Sequence, residues 1–366
     1  GPIFKTSLVG IPVIVATDPD FSYFVLNQEG QCFKNWYPDT FIEIFGKQTL
    51  ATLHGFLYKY LKHMILSLFG HESRKKMLPE IEQNVCKKLE LWSTQNSIEL
   101  KDSTASLILD LTTKKLMGHS PGKSSENLKE CFAAFIDGLI SFPINIPRTA
   151  YHKCLKGKGN ENVEGYASGE IGESNFEKTS FSLTLAIKFL SDDPSILKRL
   201  TEEHEAILRN REDADSGLTW KEYKSMTYTF QFINETARLA NLAPAIFRKA
   251  LVDTQYEGYL IPAGWTVMVC PPAIHLNPEI YEDPLVFNPS RWEGSKYTNA
   301  SKTFMAFGGG MRFCIGTDFS KLQMAVFLHS LVTKYRWEEI SGGNIRRTPG
   351  LQFPNGYHVK LKKKEI

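Results

Sequence analysis

The stretch Phe307-Gly308-Gly309-Gly310-Met311-Arg312-Phe313-Cys314-Ile315-Gly316 carries the residue types best suited to chemistry. Three consecutive glycines let the backbone turn tightly and approach a flat ligand closely. Ile315, Phe319, Leu322 and Val326 follow with helical spacing, so a helix is expected to start near Cys314. Free backbone N–H groups and the dipole at a helix start favour an anion, and such surroundings favour a thiolate over a thiol. Cys314 is therefore the cysteine singled out as a candidate thiolate. Arg312 offers a forked guanidinium suited to a carboxylate. Taken by itself, Cys314 also fits a glycine-rich loop around an inert buried cysteine.

A second constellation is Glu235-Thr236-Ala237-Arg238, where an acid and a base three residues apart share one helix face and can pair. About one such match is expected by chance in a chain of this composition, so its weight comes from order and spacing. Phe287-Asn288-Pro289-Ser290-Arg291-Trp292 lies between it and Cys314 and supplies a second arginine. Arg248 follows Ala243-Pro244-Ala245-Ile246-Phe247 in a stretch that reads as strand.

The elements that must position these residues are mainly helical with a minor β region. Ile11–Ala16 and Phe21–Leu26 read as short strands. Leu53, Leu57, Leu61 and Ile65 open a helical region running from about residue 49 to 116, and 126–140 suggests another helix before Pro143 and Pro147. Residues 154–175 hold five glycines and few apolar residues and read as an aberrant linker. Phe181–Leu190 is apolar on more than one face, as in a buried helix. Asp193-Pro194 supplies an N-cap and an N1 proline. Thr219-Trp220-Lys221-Glu222 is a capping box, opening a helix expected to run to about Leu239. Short strands follow from Ala243 to Ile274, then a proline-rich loop over 277–313, the helix near Cys314, and a terminal hairpin from Trp337.

The chain has 366 residues, enough for a sizeable core, and reads as a single domain over 1–366. A net charge of +3 and the lack of a basic, aromatic-interleaved stretch argue against nucleic-acid binding. Six scattered cysteines without a CxxC pair argue against a zinc site and fit a reducing compartment. No apolar run of about 20 residues is present to span a bilayer.

Phe307, Gly310, Arg312, Cys314 and Gly316 match the haem-binding pattern F-x-x-G-x-R-x-C-x-G at all five fixed positions. At about 1 in 20 per position, a chance match is on the order of 1 in 10,000. The sequence resembles the cytochrome P450 family. Phe232 to Trp292 is similar to family 87 of the plant members, in the clan that oxidises sterols, brassinosteroids and triterpenoids, and the likeness covers most of 1–153 and 176–366. The resemblance implies the P450 fold, haem b ligated by Cys314, and cofactor contacts from Arg248, Phe307, Arg312 and Gly316. It implies a buried network of Glu235, Arg238 and Arg291, and substrate contacts from Ala243, Ala245, Ile246 and Leu351. Tyr58 and Lys62 stand at the spacing of the family's W-x-x-x-R propionate contact without matching its residues.

The implied activity is a monooxygenase acting on an apolar triterpenoid or sterol, with electrons from NADPH through NADPH-cytochrome P450 reductase. The implied setting is a monomer on the cytosolic face of the endoplasmic reticulum membrane, held by an anchor this chain does not show. The sequence departs from the family at its oxygen-activating helix, pattern [AG]-G-x-[DE]-T-[TS]. Ser174-Asn175-Phe176-Glu177-Lys178-Thr179 aligns there. Glu177 keeps the acid, Lys178 takes the proton-delivering threonine's position, and Thr179 is the hydroxyl next in line. The apolar first half of that helix and part of the lid are expected to be missing, leaving the chain roughly 50 residues short of a typical member. A truncated haem-binding form without turnover, or a reductase-independent isomerase or dehydratase of this fold, are the competing readings.

Overall fold

The computed structural model describes residues 2–8, 10–45, 49–117, 146–149, 152–153, 170–213, 216–294, 300–347 and 350–365. The expected helix over 126–140 and residues 154–169 of the expected linker lie outside them.

The chain opens with strands β1 (Ile3–Leu8) and β2 (Ile11–Ala16). The run that follows is a helix, α1 (Pro19–Asn27), and not the strand its apolar content suggests. Asp18 decides this: its carboxylate accepts from Phe21 N at 2.7 Å, and Pro19 stands at N1. Next come β3 (Phe33–Asn35), α2 (Asp39–Phe45), α3 (Gly55–Leu68), α4 (His71–Ser93), β4 (Ile98–Glu99) and α5 (Leu100–Met117).

After the gap, α6 (Glu170–Asp192) begins six residues earlier than the linker reading allows, so the backbone over 170–175 is helical. Asp193 caps α7 (Pro194–Arg209), accepting from Ser195 N at 2.9 Å. The Thr219–Glu222 box opens α8 (Trp220–Ser225) as expected, but the helix breaks at Met226 and resumes as α9 (Thr227–Ala240). Glu203 of α7 caps α9 instead of a local residue, accepting from Tyr228 N at 2.6 Å and Thr229 N at 2.9 Å.

The remaining elements are β5 (Ile246–Ala250), β6 (Thr254–Tyr256), β7 (Tyr259–Ile261), β8 (Thr266–Val269), α10 (Pro271–His275), α11 (Ala300–Thr303), α12 (Thr317–Lys334), β9 (Tyr335–Gly342), β10 (Arg346–Arg347), β11 (Leu351–Gln352) and β12 (Tyr357–Lys363). One sheet has the order β1-β2-β8-β5-β3, with β2 and β8 parallel and the other pairs antiparallel. A second has the order β4-β12-β9, where β9 and β12 form the expected terminal hairpin. The main apolar core joins α4, α5, α6, α7, α9 and α12 to the β9–β12 sheet; a smaller one lies between α1 and the first sheet. Every residue of α12 from Leu322 to Val332 is buried, the polar Gln323, His329 and Ser330 included, so the helix is enclosed on all sides and not along a single apolar face.

Candidate functional site

Cys314 precedes α12 by three residues, and Gly316 is the helix N-cap. Cys314 is not a helical residue, and its N–H is engaged: it donates to Phe307 O at 2.9 Å. The Cys314 carbonyl accepts from Thr317 Oγ1 at 2.9 Å. Phe313 N donates to Gly310 O at 3.1 Å, and Gly308 N to Met305 O at 3.0 Å, so the loop is a stack of tight turns. Gly310 has φ +60°, and a Cβ on it would stand 2.1 Å from Leu26 O. The loop tip therefore docks directly on the end of α1. The Cys314 thiol is free and half-buried. The ring centroid of Phe307 lies 6.4 Å from that of Phe313.

A cationic cluster surrounds this loop. Arg312 Nε donates to Glu29 Oε1 at 3.0 Å, and its Nη atoms donate to Leu50 O at 3.0 Å and Leu53 O at 2.6 Å. Arg248 Nη1 donates to Asn35 Oδ1 at 2.9 Å, and its Nε lies 3.1 Å from Glu29 Oε2. Both guanidiniums and the carboxylate are buried. Lys62 Nζ donates to Met311 O at 2.5 Å, and Tyr58 OH to the same oxygen at 3.1 Å. Desolvation, then the charge of Arg312, pushes the Lys62 amine below its ordinary range, against the pull of Cys314. His54 is lowered by desolvation and then by Arg312, and its Nδ1 sits 3.1 Å from Arg312 Nη2, as suits a neutral acceptor. Glu29 carried no sequence signal; it is a lone acid in the turn after α1.

Around Glu235 the structure brings together all three network residues. Arg238 donates to both Glu235 oxygens at 2.8 Å, and Arg291 Nε to Oε1 at 3.1 Å. Trp292 Nε1 and Asn288 N add bonds at 2.9 and 3.1 Å. Arg238 Nη1 reaches His275 O at 2.6 Å and Pro284 O at 2.7 Å. The carboxylate thus ties α9 to the long loop that leads to Cys314.

On α6, Thr179 is buried and donates to Ser320 Oγ of α12 at 3.0 Å. Its hydroxyl is thereby committed to the packing of two helices, which differs from the free proton-transfer role expected of it. Glu177 is half-buried. Lys178 is exposed along its side chain yet surrounded by protein: desolvation lowers its amine, while Cys314 and then Glu177 pull it back up. Ala243, Ala245 and Ile246 are half-buried ahead of and at the start of β5, and Leu351 packs into the main core. A cavity of about 390 Å³ lined by Leu190, Pro194, Val332 and Trp337 lies near the far end of α12 from Cys314 and shares none of these residues.

The cytochrome P450 family profile matches residues 175–361, half of the chain, spanning the Glu235 network and the Cys314 loop. The chain belongs to the cytochrome P450 family. Cytochrome P450 87A3 of Oryza sativa subsp. japonica is 51% identical over 403 residues, covering 99% of this chain and 78% of that protein. Cucurbitadienol 11-hydroxylase of Siraitia grosvenorii is 40% identical over 406 residues, covering 100% and 86%. Both alignments are longer than the 366 residues of this P450, so these relatives carry internal sequence that it lacks. The structure of a retinoic acid-bound cyanobacterial CYP120A1 shares the fold, with a TM-score of 0.88, 24% identity, and coverage of 100% of this chain and 92% of that one.

The family and fold imply haem, and the residues present fit it. Arg248, Arg312 and Lys62 oppose the single carboxylate of Glu29, and the cluster carries two positive charges in excess. Haem has two propionates. Arg248 Nε and Glu29 Oε2 face each other at 3.1 Å as an ion pair without the alignment of a hydrogen bond, so the buried cluster is only partly satisfied by its own groups. Arg248, Arg312 and Lys62 would hold the propionates, Cys314 the iron, and Phe307 with the glycine loop would support the proximal face.

Proposed function

We propose that this P450 is a haem-thiolate monooxygenase that hydroxylates an apolar triterpenoid or sterol. One atom of O₂ would enter a C–H bond and the other leave as water, with two electrons and two protons supplied. The observation that carries the reading is the Cys314 loop: a free thiol held by a hydrogen-bonded turn stack beside a cationic cluster, with Arg248 and Arg312 buried against Glu29 and Lys62 half-buried at its edge. Haem b bound there would supply the oxygen-activating chemistry, and a thiolate ligand favours O–O cleavage. This chain's part is to fix the sulfur, neutralise the propionates, and present Ala243, Ala245, Ile246 and Leu351 as apolar lining. The name of the 40%-identical relative, an 11-hydroxylase of cucurbitadienol, supports a triterpenoid substrate.

Electrons would come from NADPH through a cytochrome P450 reductase, to a monomer on the cytosolic face of the endoplasmic reticulum. Among the described residues no helix is long and apolar enough to cross a membrane. A haem-binding form without turnover is favoured by one observation, Lys178 in the threonine's place. The deciding experiment has two stages. The reduced, haem-loaded protein should give a thiolate-type carbon monoxide difference band. Reconstituted with reductase, NADPH and a panel of triterpenoids and sterols, it should then form an O₂-dependent product. A thiolate band without product would select the second reading, and product formed without NADPH would select an isomerase or dehydratase.

A further inference from the structure

The cavity of about 390 Å³ opens where the C-terminal ends of α6 and α12 meet the start of α7 and strand β9. Small-molecule sites run from about 300 to 1,000 Å³, so the space suits a small ligand. Its apolar wall is Leu190, Pro194, Leu197, Val332, Tyr335 and Trp337. Leu190, Val332 and Tyr335 are buried, whereas Pro194 is exposed and stands at the mouth. The polar groups of the wall are turned to protein. Trp337 Nε1 donates to Ser191 Oγ at 2.9 Å, which fixes the indole from α6. Thr201 Oγ1 donates to Leu197 O of its own helix at 2.8 Å. What the wall offers is apolar surface held in place, which lowers the ordering cost of binding.

Three ionic residues complete the lining: Arg336, Glu339 and Lys364. Glu339 is engaged, accepting from Tyr357 OH and lying 3.6 Å from Lys188 Nζ. Lys364 is half-buried, and its Nζ donates to Val332 O at 2.6 Å, which holds the amine against the cavity wall. That carbonyl uses one of the three N–H groups of an ammonium. Among the described residues neither Lys364 nor Arg336 pairs with a carboxylate. The cavity thus joins an apolar wall to two cations that lack an anion.

We propose that this cavity binds a small amphipathic carboxylate of the medium-chain fatty acid class, its chain against Leu197 and Trp337 and its head at Lys364 and Arg336. Burial of the chain supplies affinity, and the carboxylate relieves the repulsion between the two cations. The site is remote from Cys314: α12 has 18 residues and spans roughly 27 Å, with Cys314 ahead of its first turn and Val332 in its last.

The test is calorimetric titration of the haem-loaded protein with decanoate and with decanol, read beside the Soret band. Wild type is compared with Leu197→Trp, which fills the cavity, and with the double variant Arg336→Gln, Lys364→Gln, in which an amide can still donate to Val332 O but carries no charge. Wild type should bind decanoate at one saturable site, several-fold more tightly than decanol, with the Soret band unmoved. Leu197→Trp should lose both ligands. The double variant should bind decanoate several-fold more weakly and decanol as before, and it decides the matter alone where Leu197→Trp does not fold. Decanoate that fails to saturate, binds every folded form alike, or binds only with a Soret shift overturns the site. Decanol that binds as tightly as decanoate overturns the anionic class of ligand.

Discussion

Glu235 is fully buried and accepts five hydrogen bonds, from Arg238 twice, Arg291, Trp292 and Asn288. Removing its charge leaves Arg238, also fully buried, without a counter-ion, although its bonds to His275 O and Pro284 O remain. Breaking one partner of a buried pair costs about 3–5 kcal/mol. Glu235→Gln is therefore expected to lower the unfolding free energy by about that much in urea denaturation of the haem-loaded protein. A loss under about 1 kcal/mol would show that the carbonyl bonds of Arg238, and not the carboxylate, hold the loop. The Glu235–Arg238 pair was legible as an acid and a base on one helix face, whereas its burial and the part of Arg291 followed from the family resemblance. Glu29 was not legible. Its partners Arg248 and Arg312 lie more than 200 residues away, and no local spacing marks an isolated acid as the centre of a charge cluster.

At the scale of elements, caps were the most readable feature. Asp193 and the Thr219–Glu222 box start α7 and α8 where the sequence placed them. The same signal stands at Asp18-Pro19 and starts α1, although the apolar run Phe21–Leu26 behind it reads as a strand. That helix matters because the cysteine loop rests on it. Gly310 and Gly308 both have positive φ, +60° and +78°, but only at Gly310 would a side chain clash with backbone: a Cβ there meets Leu26 O at 2.1 Å, against an ordinary contact of 3.7 Å to Arg312 O at Gly308. Gly308→Ala should pay only the left-handed backbone penalty, about 1–2 kcal/mol. Gly310→Ala must also push the loop off α1 and carry Cys314 with it. Gly310→Ala is expected to lose most of the thiolate-type carbon monoxide band per mole of protein, and Gly308→Ala to keep it. Equal retention in the two would mean the contact with Leu26 does not set the position of Cys314.

In the whole molecule, sequence motifs gave the proximal half of the site, while the way distant helices meet came only from the structure. Three buried histidines mark those meetings. His204 of α7 and His329 of α12 face each other, Nδ1 to Nδ1, at 3.0 Å, and Thr229 of α9 adds a contact of 3.1 Å to His204 Nε2. One Nδ1 must donate and the other accept, so both rings cannot be protonated at once. His275 Nε2 accepts from Met305 N at 2.9 Å and its Nδ1 meets Asn241 Oδ1 at 2.8 Å, a neutral tautomer with both nitrogens used. Desolvation lowers all three to about 3, aided by His329 at His204, by Arg211 and Lys334 at His329, and by Arg238 at His275. Unfolded histidine titrates near 6.5. Between these values the unfolded chain binds protons that the fold refuses, so stability is full above about pH 6.5 and declines as pH falls toward 3. Each histidine contributes a slope of about 1.4 kcal/mol per pH unit, or about 2 kcal/mol lost by pH 5. Three together approach the whole stability of an ordinary domain, about 5–15 kcal/mol. Urea unfolding of the haem-loaded protein should show its midpoint falling steeply from pH 7 to pH 5. The drop should shrink in His275→Gln, whose amide can still accept from Met305 N but takes up no proton. A midpoint that holds steady to pH 5 would mean these rings are protonated in the folded state, and that the α7–α9–α12 junction is looser than its contacts indicate.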